Sequence, residues 1–267
     1  MKLVSIIIPL YNAENYIVET INSCIEQTYD NIEIIVLDDC STDCSALRVK
    51  PIAQSNSKVH FIQNERNLGF IATVNKGIEI AKGKRILVLG DDDVLEKSHI
   101  LTMSRLLDKG NFSFVYCSSR YIDEKGNEIG ESKTLNINNN KLLIAKKNII
   151  NSCGLLINRE MLDMVGHYPE YLGFRNYGEW YLWIKLLSVS DAAYITEIKS
   201  KYRIHSNNLT KSFFNKENIK AIRDYNLTCM RFAANIIDYS ILEKFELFLF
   251  RAIYVLKMFY HLYIKRG

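Results

Sequence analysis

The chain has 267 residues, 48% of them hydrophobic, enough to bury one large core or one core with a small appendage. Its 34 basic and 30 acidic residues leave a formal charge of +4 spread along the sequence, with no concentrated basic stripe to suit a nucleic-acid partner. Six cysteines at 24, 40, 44, 117, 153 and 229 follow no framework spacing, and the N-terminus enters a strand rather than a secretion signal, so reduced thiols and a cytoplasmic location are expected.

Leu3 to Ile8 is a β-branched apolar run closed by Pro9, after which Ile17, Ile21, Cys24 and Ile25 recur at helical spacing. A second run, Ile32 to Leu37, ends in Asp38-Asp39, and a third covers Val59 to Ile62, with a polar helical stretch between them. Phe70, Val74, Gly77, Ile78 and Ala81 share one helical face, Gly83 is the expected C-terminal cap, and Arg85 to Leu89 reads as the next strand. This alternation predicts an α/β fold with a mostly parallel sheet and helices on both faces. Ligands of such sheets sit beyond the carboxyl ends of the strands, where Pro9 to Asn12, Asp38-Asp39 and Asp91 to Asp93 all fall.

Asp91, Asp92 and Asp93 follow the apolar run Ile86 to Leu89 directly. Two carboxylates ~4 Å apart repel by roughly 4 kcal/mol at an effective dielectric near 20. Such a triplet is either a solvated turn before the helix starting near Ser98, or the seat of a hard cation such as Mn²⁺ or Mg²⁺. Cys40 and Cys44 are close enough for a metal pair, but no second Cys or His pair follows at zinc spacing.

Beyond residue 112, Phe114 to Tyr121 and Glu128 to Gly130 read as strands around a turn at Glu124. Cys153 to Ile157 is a short strand, and a tryptophan-rich helix runs from about Glu179 to Ser188. Two or three helices follow residue 212. The segment Phe245 to Ile264 is aromatic and aliphatic, yet Glu246, Arg251, Lys257 and His261 interrupt it before the ~20 apolar residues a membrane span needs. Phe245, Phe248, Ala252, Leu256, Phe259 and Tyr263 make one stripe, with Leu247, Phe250, Tyr254 and Met258 on the other side. Three placements are open: a membrane interface with Lys257, Lys265 and Arg266 towards the headgroups, packing on its own domain, or a homodimer contact through residues 245 to 267.

Four motifs stand in order: Ser5-Ile6-Ile7-Ile8-Pro9-Leu10-Tyr11-Asn12; Glu33 through Asp38-Asp39 to Asp43; Asn67-Leu68-Gly69 with Asn75 and Gly77; and Leu89-Gly90-Asp91-Asp92-Asp93. Together they resemble the family-2 glycosyltransferases of the GT-A fold, over residues 3 to about 210. The resemblance implies an inverting, metal-dependent enzyme that moves one sugar, a hexose or N-acetylhexosamine, from a nucleoside diphosphate donor. Uridine is the expected base, and a hydroxyl of a saccharide or lipid-linked acceptor receives the sugar. The implied setting is bacterial surface polysaccharide synthesis, in the cytoplasm or at the inner face of the cytoplasmic membrane. It implies a transferase domain at 1–211, split into a donor half at 1–120 and an acceptor half at 121–211, and a helical extension at 212–267.

Residue by residue, the resemblance makes Asp92 the ligand of Mn²⁺ or Mg²⁺ and gives Asp91 the ribose or the metal, while Asp93 orients the sugar. Asp39 matches the position that accepts the uracil N3–H, its other reading being the N-cap of the following helix. Tyr11 lies beside the base or is a turn tyrosine, and Pro9, Asn12 and Asn67 belong to the nucleotide-binding loops. Glu179 matches the catalytic base that deprotonates the acceptor, or is a helix N-terminal acid favoured by the dipole. His205, in Tyr202-Arg203-Ile204-His205, reaches the metal or diphosphate or is structural. Arg203 pairs with phosphate or with a core acid. Trp180 stacks on a sugar or packs, Trp183 packs, and Gly166 to Glu170 is structural.

The chain departs from the family at Gly90, where an aspartate is usual, and at Cys40, where glycine is usual, so the base-binding loop is expected to differ in shape. Gly178 replaces the first of an acidic pair, which leaves a non-catalytic nucleotide-sugar-binding protein as the alternative. Processive synthesis is disfavoured, and so is a phosphatase with Asp38 as nucleophile, because Cys40 stands where its second aspartate belongs.

Overall fold

The computed structural model describes residues 1–132, 134–137, 142–172, 178–208, 218–237 and 239–259. Every residue of β1 (Val4–Leu10) and β2 (Ile32–Asp38) is buried. Successive side chains serve opposite faces: Ile7, Ile35 and Leu37 enter one apolar cluster, Ile6, Ile8, Ile34 and Val36 the other. A strand covered on both faces reads as a continuous apolar run rather than an alternation, which is why these two stand out in the sequence.

Among the described residues nine strands form one sheet. Its first half runs β3 (Val59–Gln63), β2, β1, β4 (Arg85–Val88), all parallel. The second half is mixed. Strand β4 pairs antiparallel with β8 (Leu156–Asn158), and β8 with β6 (Phe114–Ile122). Strand β6 runs parallel to β9 (Ala192–Arg203) and carries β7 (Glu128–Glu131) off the main path. Helices α1 (Ile17–Ile25), α2 (Ser45–Ser55) and α4 (His99–Lys109) cover one face through Ile17, Ile21, Cys24, Val49, Ile100 and Met103. Helices α3 (Phe70–Ile80), α5 (Leu142–Lys146), α6 (Arg159–Val165) and α7 (Glu179–Val189) cover the other.

Three details differ from expectation. Helix α3 closes at Ala81, so Gly83 is not its cap. A Cβ on Gly83 would lie 2.6 Å from the Ser5 backbone nitrogen, so glycine is there because the chain passes close against β1. Strand β9, twelve residues long, is hidden in the sequence because Glu197, Lys199 and Lys201 break its apolar pattern. The acidic triplet does not lead straight into α4: β5 (Val94–Leu95) intervenes and pairs antiparallel with Lys201 and Ser200 of β9. That pairing draws the end of β9 towards the triplet.

The last helices, α8 (Ile219–Ile236) and α9 (Ile241–Phe259), rest on the same core. Tyr225, Cys229, Met230 and Ala233 join the cluster built around α7, and Tyr181 stacks on Phe232 with centroids 4.1 Å apart. Helix α9 packs through Leu247, Phe250 and Tyr254 and turns Phe245, Phe248 and Leu256 outward. Of the expected stripe, Tyr263 lies outside the described residues, as do Lys265 and Arg266. Among the described residues no helix is long and apolar enough to cross a membrane.

Candidate active site

The parallel register brings the carboxyl ends of β1, β2 and β4 side by side. Pro9 is buried inside β1, while Tyr11 and Asn12 are exposed just beyond it. Asn12 takes a positive φ of 55° and its Oδ1 accepts from the Thr42 backbone N–H at 2.8 Å, locking the loop after β1 to the loop after β2. Cys40 also takes a positive φ, 66°. Cysteine thus does adopt the left-handed conformation that glycine enters more easily, and bears its steric cost.

The Asp39 carboxylate faces the entrance to α3. Oδ1 accepts from Asn64 Nδ2 at 2.9 Å and from the Leu68 N–H at 2.7 Å, and Oδ2 accepts from the Gly69 N–H at 2.8 Å. Asn67 Nδ2 donates to the Asp39 carbonyl at 3.1 Å. The N-cap reading of Asp39 fails, since the residue capping α2 is Cys44. Three of the roughly four lone-pair sites of the carboxylate are engaged, leaving room for one further donor. Asp38 has both oxygens bound, by the Ser41 N–H at 3.1 Å and Gln63 Nε2 at 2.7 Å, which does not suit a nucleophile.

The three acids of the triplet point to different partners. Asp91 Oδ2 accepts from the Tyr11 N–H at 2.9 Å. Asp93, 4% exposed, accepts from the Arg203 N–H at 3.1 Å. Asp92 Oδ2 lies 2.7 Å from His205 Nε2 and 3.1 Å from Asn208 Nδ2. Burial, then the neighbouring Asp92 charge, pushes the Asp91 and Asp93 carboxyls well above the usual range. A Cβ on Gly90 would lie 2.9 Å from Asp92 Oδ1 and 3.1 Å from Asp93 Oδ2, so the aspartate that the chain lacks there would crowd the pair.

The His205 ring is fixed from both sides. Its Nδ1 accepts from the Asn207 N–H at 3.2 Å, so Nε2 bears the hydrogen that faces Asp92, and the ring lies 4.9 Å from that of Tyr16. A cavity of about 340 Å³ opens beside it, between Asn12 to Tyr16, Asp43, Glu124 and His205 to Asn207.

Three expected donor or acceptor contacts are framework instead. Arg203, 1% exposed, donates from Nε to the Asp92 carbonyl at 2.9 Å, from Nη1 to the Asp123 carbonyl at 3.2 Å and from Nη2 to Glu19 Oε2 at 2.6 Å. Its charge is engaged by Glu19, an acid whose own side chain is half exposed, so neither the phosphate nor the core-acid reading holds as stated. Trp180, 3% exposed, donates to the Ile144 carbonyl at 2.7 Å and meets Tyr225 edge-on, so its face is closed to a sugar. Asp93 is sealed by the Arg203 backbone and cannot orient a sugar without moving. Trp183 packs on Phe114 as expected.

Glu179 opens α7 and is partly buried. Desolvation lifts its carboxyl above the ordinary value, opposed by a hydrogen bond from the Ser152 hydroxyl. Ser152 precedes Cys153, whose thiol borders Asp93, so Glu179 and the triplet flank one short segment. Ser152, Asn64, Asn208, Tyr16 and Glu19 were not legible as site residues. The contacts that bring them to the site are distant in sequence, from 25 residues for Asn64 with Asp39 to 184 for Glu19 with Arg203, and leave no local signature.

Residues 5–165 match the family model of glycosyl transferase family 2. The chain belongs to that family. It is 34% identical over 225 residues to an uncharacterized glycosyltransferase of Rickettsia prowazekii, covering 80% of this chain and 68% of the relative. It is 31% identical over 217 residues to the Escherichia coli UDP-Glc:alpha-D-GlcNAc-diphosphoundecaprenol beta-1,3-glucosyltransferase WfgD, covering 79% of this chain and 81% of the relative. Against an uncharacterized Rickettsia felis glycosyltransferase, 33% identical over 80% of this chain, it spans only 36% of the relative's length. Among solved structures, residues 1–349 of S. aureus TarS in complex with UDP-GlcNAc superpose with a TM-score of 0.69 at 18% identity, over 97% of this chain and 73% of the other. The Pyrobaculum calidifontis mannosyltransferase PcManGT, in complex with GDP-Man and Mn²⁺, gives 0.66 at 16%, over 98% and 70%. These two share the GT-A fold of this family-2 chain.

Among the described residues no three His, Cys, Asp or Glu side chains are arranged to hold a metal by themselves. The donor set nonetheless fits a hard ion that takes its other positions from substrate and water. One carboxylate and one imidazole converge, and two more carboxyls nearby resist charging.

Proposed function

We propose that the protein is an inverting glycosyltransferase that moves a single sugar from a UDP-sugar to a hydroxyl of a saccharide or lipid-linked acceptor, using Mn²⁺ or Mg²⁺. The observation that carries this reading is the convergence of Asp92 and His205 at the ends of β4 and β9. The TarS complex with UDP-GlcNAc and the PcManGT complex with Mn²⁺ support it, and the name of the E. coli relative supports a lipid-linked acceptor in bacterial surface polysaccharide synthesis.

A divalent ion would be held by Asp92, joined by His205 Nε2 once the ring hydrogen moves to Nδ1 and the Asn207 N–H is released, and would supply positive charge against that developing on the leaving diphosphate. Tyr11, Asn12, Asn67 and Asp91 border the nucleotide from the loops after β1, β3 and β4, and Asp39, just after β2, offers its remaining lone pair to the base. Residues 1–120 thus form the donor half and 121–211 the acceptor half. Glu179 takes the proton of the acceptor hydroxyl as that oxygen attacks the anomeric carbon and the bond to the diphosphate breaks. A carboxyl lifted by burial is a stronger base than an ordinary glutamate. The alternative, a protein that binds nucleotide sugars without turnover, has Gly178 in its favour.

A donor panel incubated with purified protein and Mn²⁺ separates the two. Transfer, or slow hydrolysis of one sugar nucleotide, is expected. Tight UDP binding with no turnover of any donor would favour the binding protein, and no metal-dependent UDP binding would overturn both.

A further inference from the structure

Helix α9 carries an apolar face that nothing in the described chain covers. Leu247, Phe250 and Tyr254 turn inward, Tyr254 accepting from Asn226 of α8 at 2.8 Å. On the opposite side Leu242, Phe245, Phe248, Leu249, Ile253 and Leu256 are all exposed, Leu242 by 81% and Leu256 by 68%. At 3.6 residues per turn they span about 140° of arc, and no charged residue falls within it. The charges stand on the flanks. Glu246 is paired with Lys146, and Glu243 accepts from the Ser240 N–H and hydroxyl. Glu246 is thus offset by Lys146, and Glu243 keeps its charge but is partly buried, while Lys244 and Lys257 stand exposed on the two flanks.

We propose that this face docks on an anionic lipid bilayer, with α9 lying in the plane of the interface. The apolar arc enters the acyl boundary and the two lysines meet lipid phosphates, the arrangement expected of an in-plane amphipathic helix. The charge of the rim selects this occupant over a second copy of the chain. A symmetric dimer apposes the same patch to itself and would bring one cationic rim against another. Docking also places the acceptor half near the membrane: α9 holds α8, and Tyr225 of α8 abuts Trp180, next to Glu179. The docking stands on the helix alone, whereas its consequence for a lipid-linked acceptor rests on the proposed transferase reading.

Vesicle flotation of the full chain tests it. The protein should float with vesicles containing phosphatidylglycerol, float less with phosphatidylcholine alone, and detach as salt rises. Phe245→Ser combined with Leu256→Ser should weaken binding about tenfold or more, and Lys244→Glu with Lys257→Glu should abolish the anionic preference. Donor hydrolysis in solution should be unchanged in both variants. Absence of flotation on either vesicle, flotation indifferent to the apolar variant, or a dimer in light scattering that the apolar variant dissociates would each overturn the proposal. Flotation with no donor turnover keeps the docking and removes the transferase reading.

Discussion

Asp92 Oδ2 and His205 Nε2 lie 2.7 Å apart although 113 residues separate them, and the pair closes the gap between the ends of β4 and β9. Strand β5 makes this possible, because its pairing with Ser200 and Lys201 carries the chain after β9 back over the triplet. Exchanging one partner tests the site without disturbing the sheet. Asp92→Asn should lower Mn²⁺-dependent UDP affinity by at least about 100-fold in calorimetry and leave the weak metal-free binding unchanged. Undiminished binding would remove Asp92 as a ligand.

In the proposed transfer, Glu179 sets the pH dependence. A general base works only when deprotonated, and burial raises its carboxyl, so kcat should fall as pH drops through a value above the ordinary glutamate range. Glu179→Gln should keep UDP affinity and lose turnover by about 100-fold or more. The stability effect has a definite sign. A folded-state value above the unfolded one means the folded protein binds the proton more tightly, so this group's contribution is lost as pH rises through the raised value. The glutamine variant should thus be no less stable than the parent at neutral pH, and a lower Tm there would contradict the desolvation argument.

Cys40 adopts a left-handed backbone that costs a residue with a Cβ roughly 1–2 kcal/mol, part of which glycine gives back through its freer unfolded chain. Cys40→Gly is expected to stabilise by about 0.5–1 kcal/mol, and Cys40→Val to destabilise. Denaturant midpoints moving in the same direction for both would refute the strain.

Arg203 ties three segments through Glu19, the Asp92 carbonyl and the Asp123 carbonyl. Arg203→Ala leaves those acceptors without their donor and should cost about 3 kcal/mol, whereas Glu19→Ala, whose carboxylate is half exposed, should cost closer to 1 kcal/mol. Lysine cannot reproduce the fork, so Arg203→Lys should recover little stability. Full recovery by lysine would mean that charge alone, not geometry, is required.

The parallel half of the sheet was legible because buried strands leave continuous apolar runs, and the residues just past each run had to lie at one edge. Asp39, Asp91 and Asp92 were found that way. What escaped has one cause: Ser152 beside Glu179 and Glu19 beside Arg203 are contacts made by packing, with no pattern in the chain near either residue. Arg203 and Trp180 stayed open between two readings for the complementary reason, since a residue type suited to phosphate or sugar is equally suited to an internal ion pair or an aromatic core.

From the order of its residues alone, this protein declares its family, its parallel core and the three acidic or polar strand ends, because each depends on neighbours within a few positions. The assignment of each side chain was decided only when distant segments met. Asp39 was drawn to α3, Arg203 inward to Glu19, and His205 onto Asp92, because a donor or charge removed from water takes whichever partner the folded chain supplies.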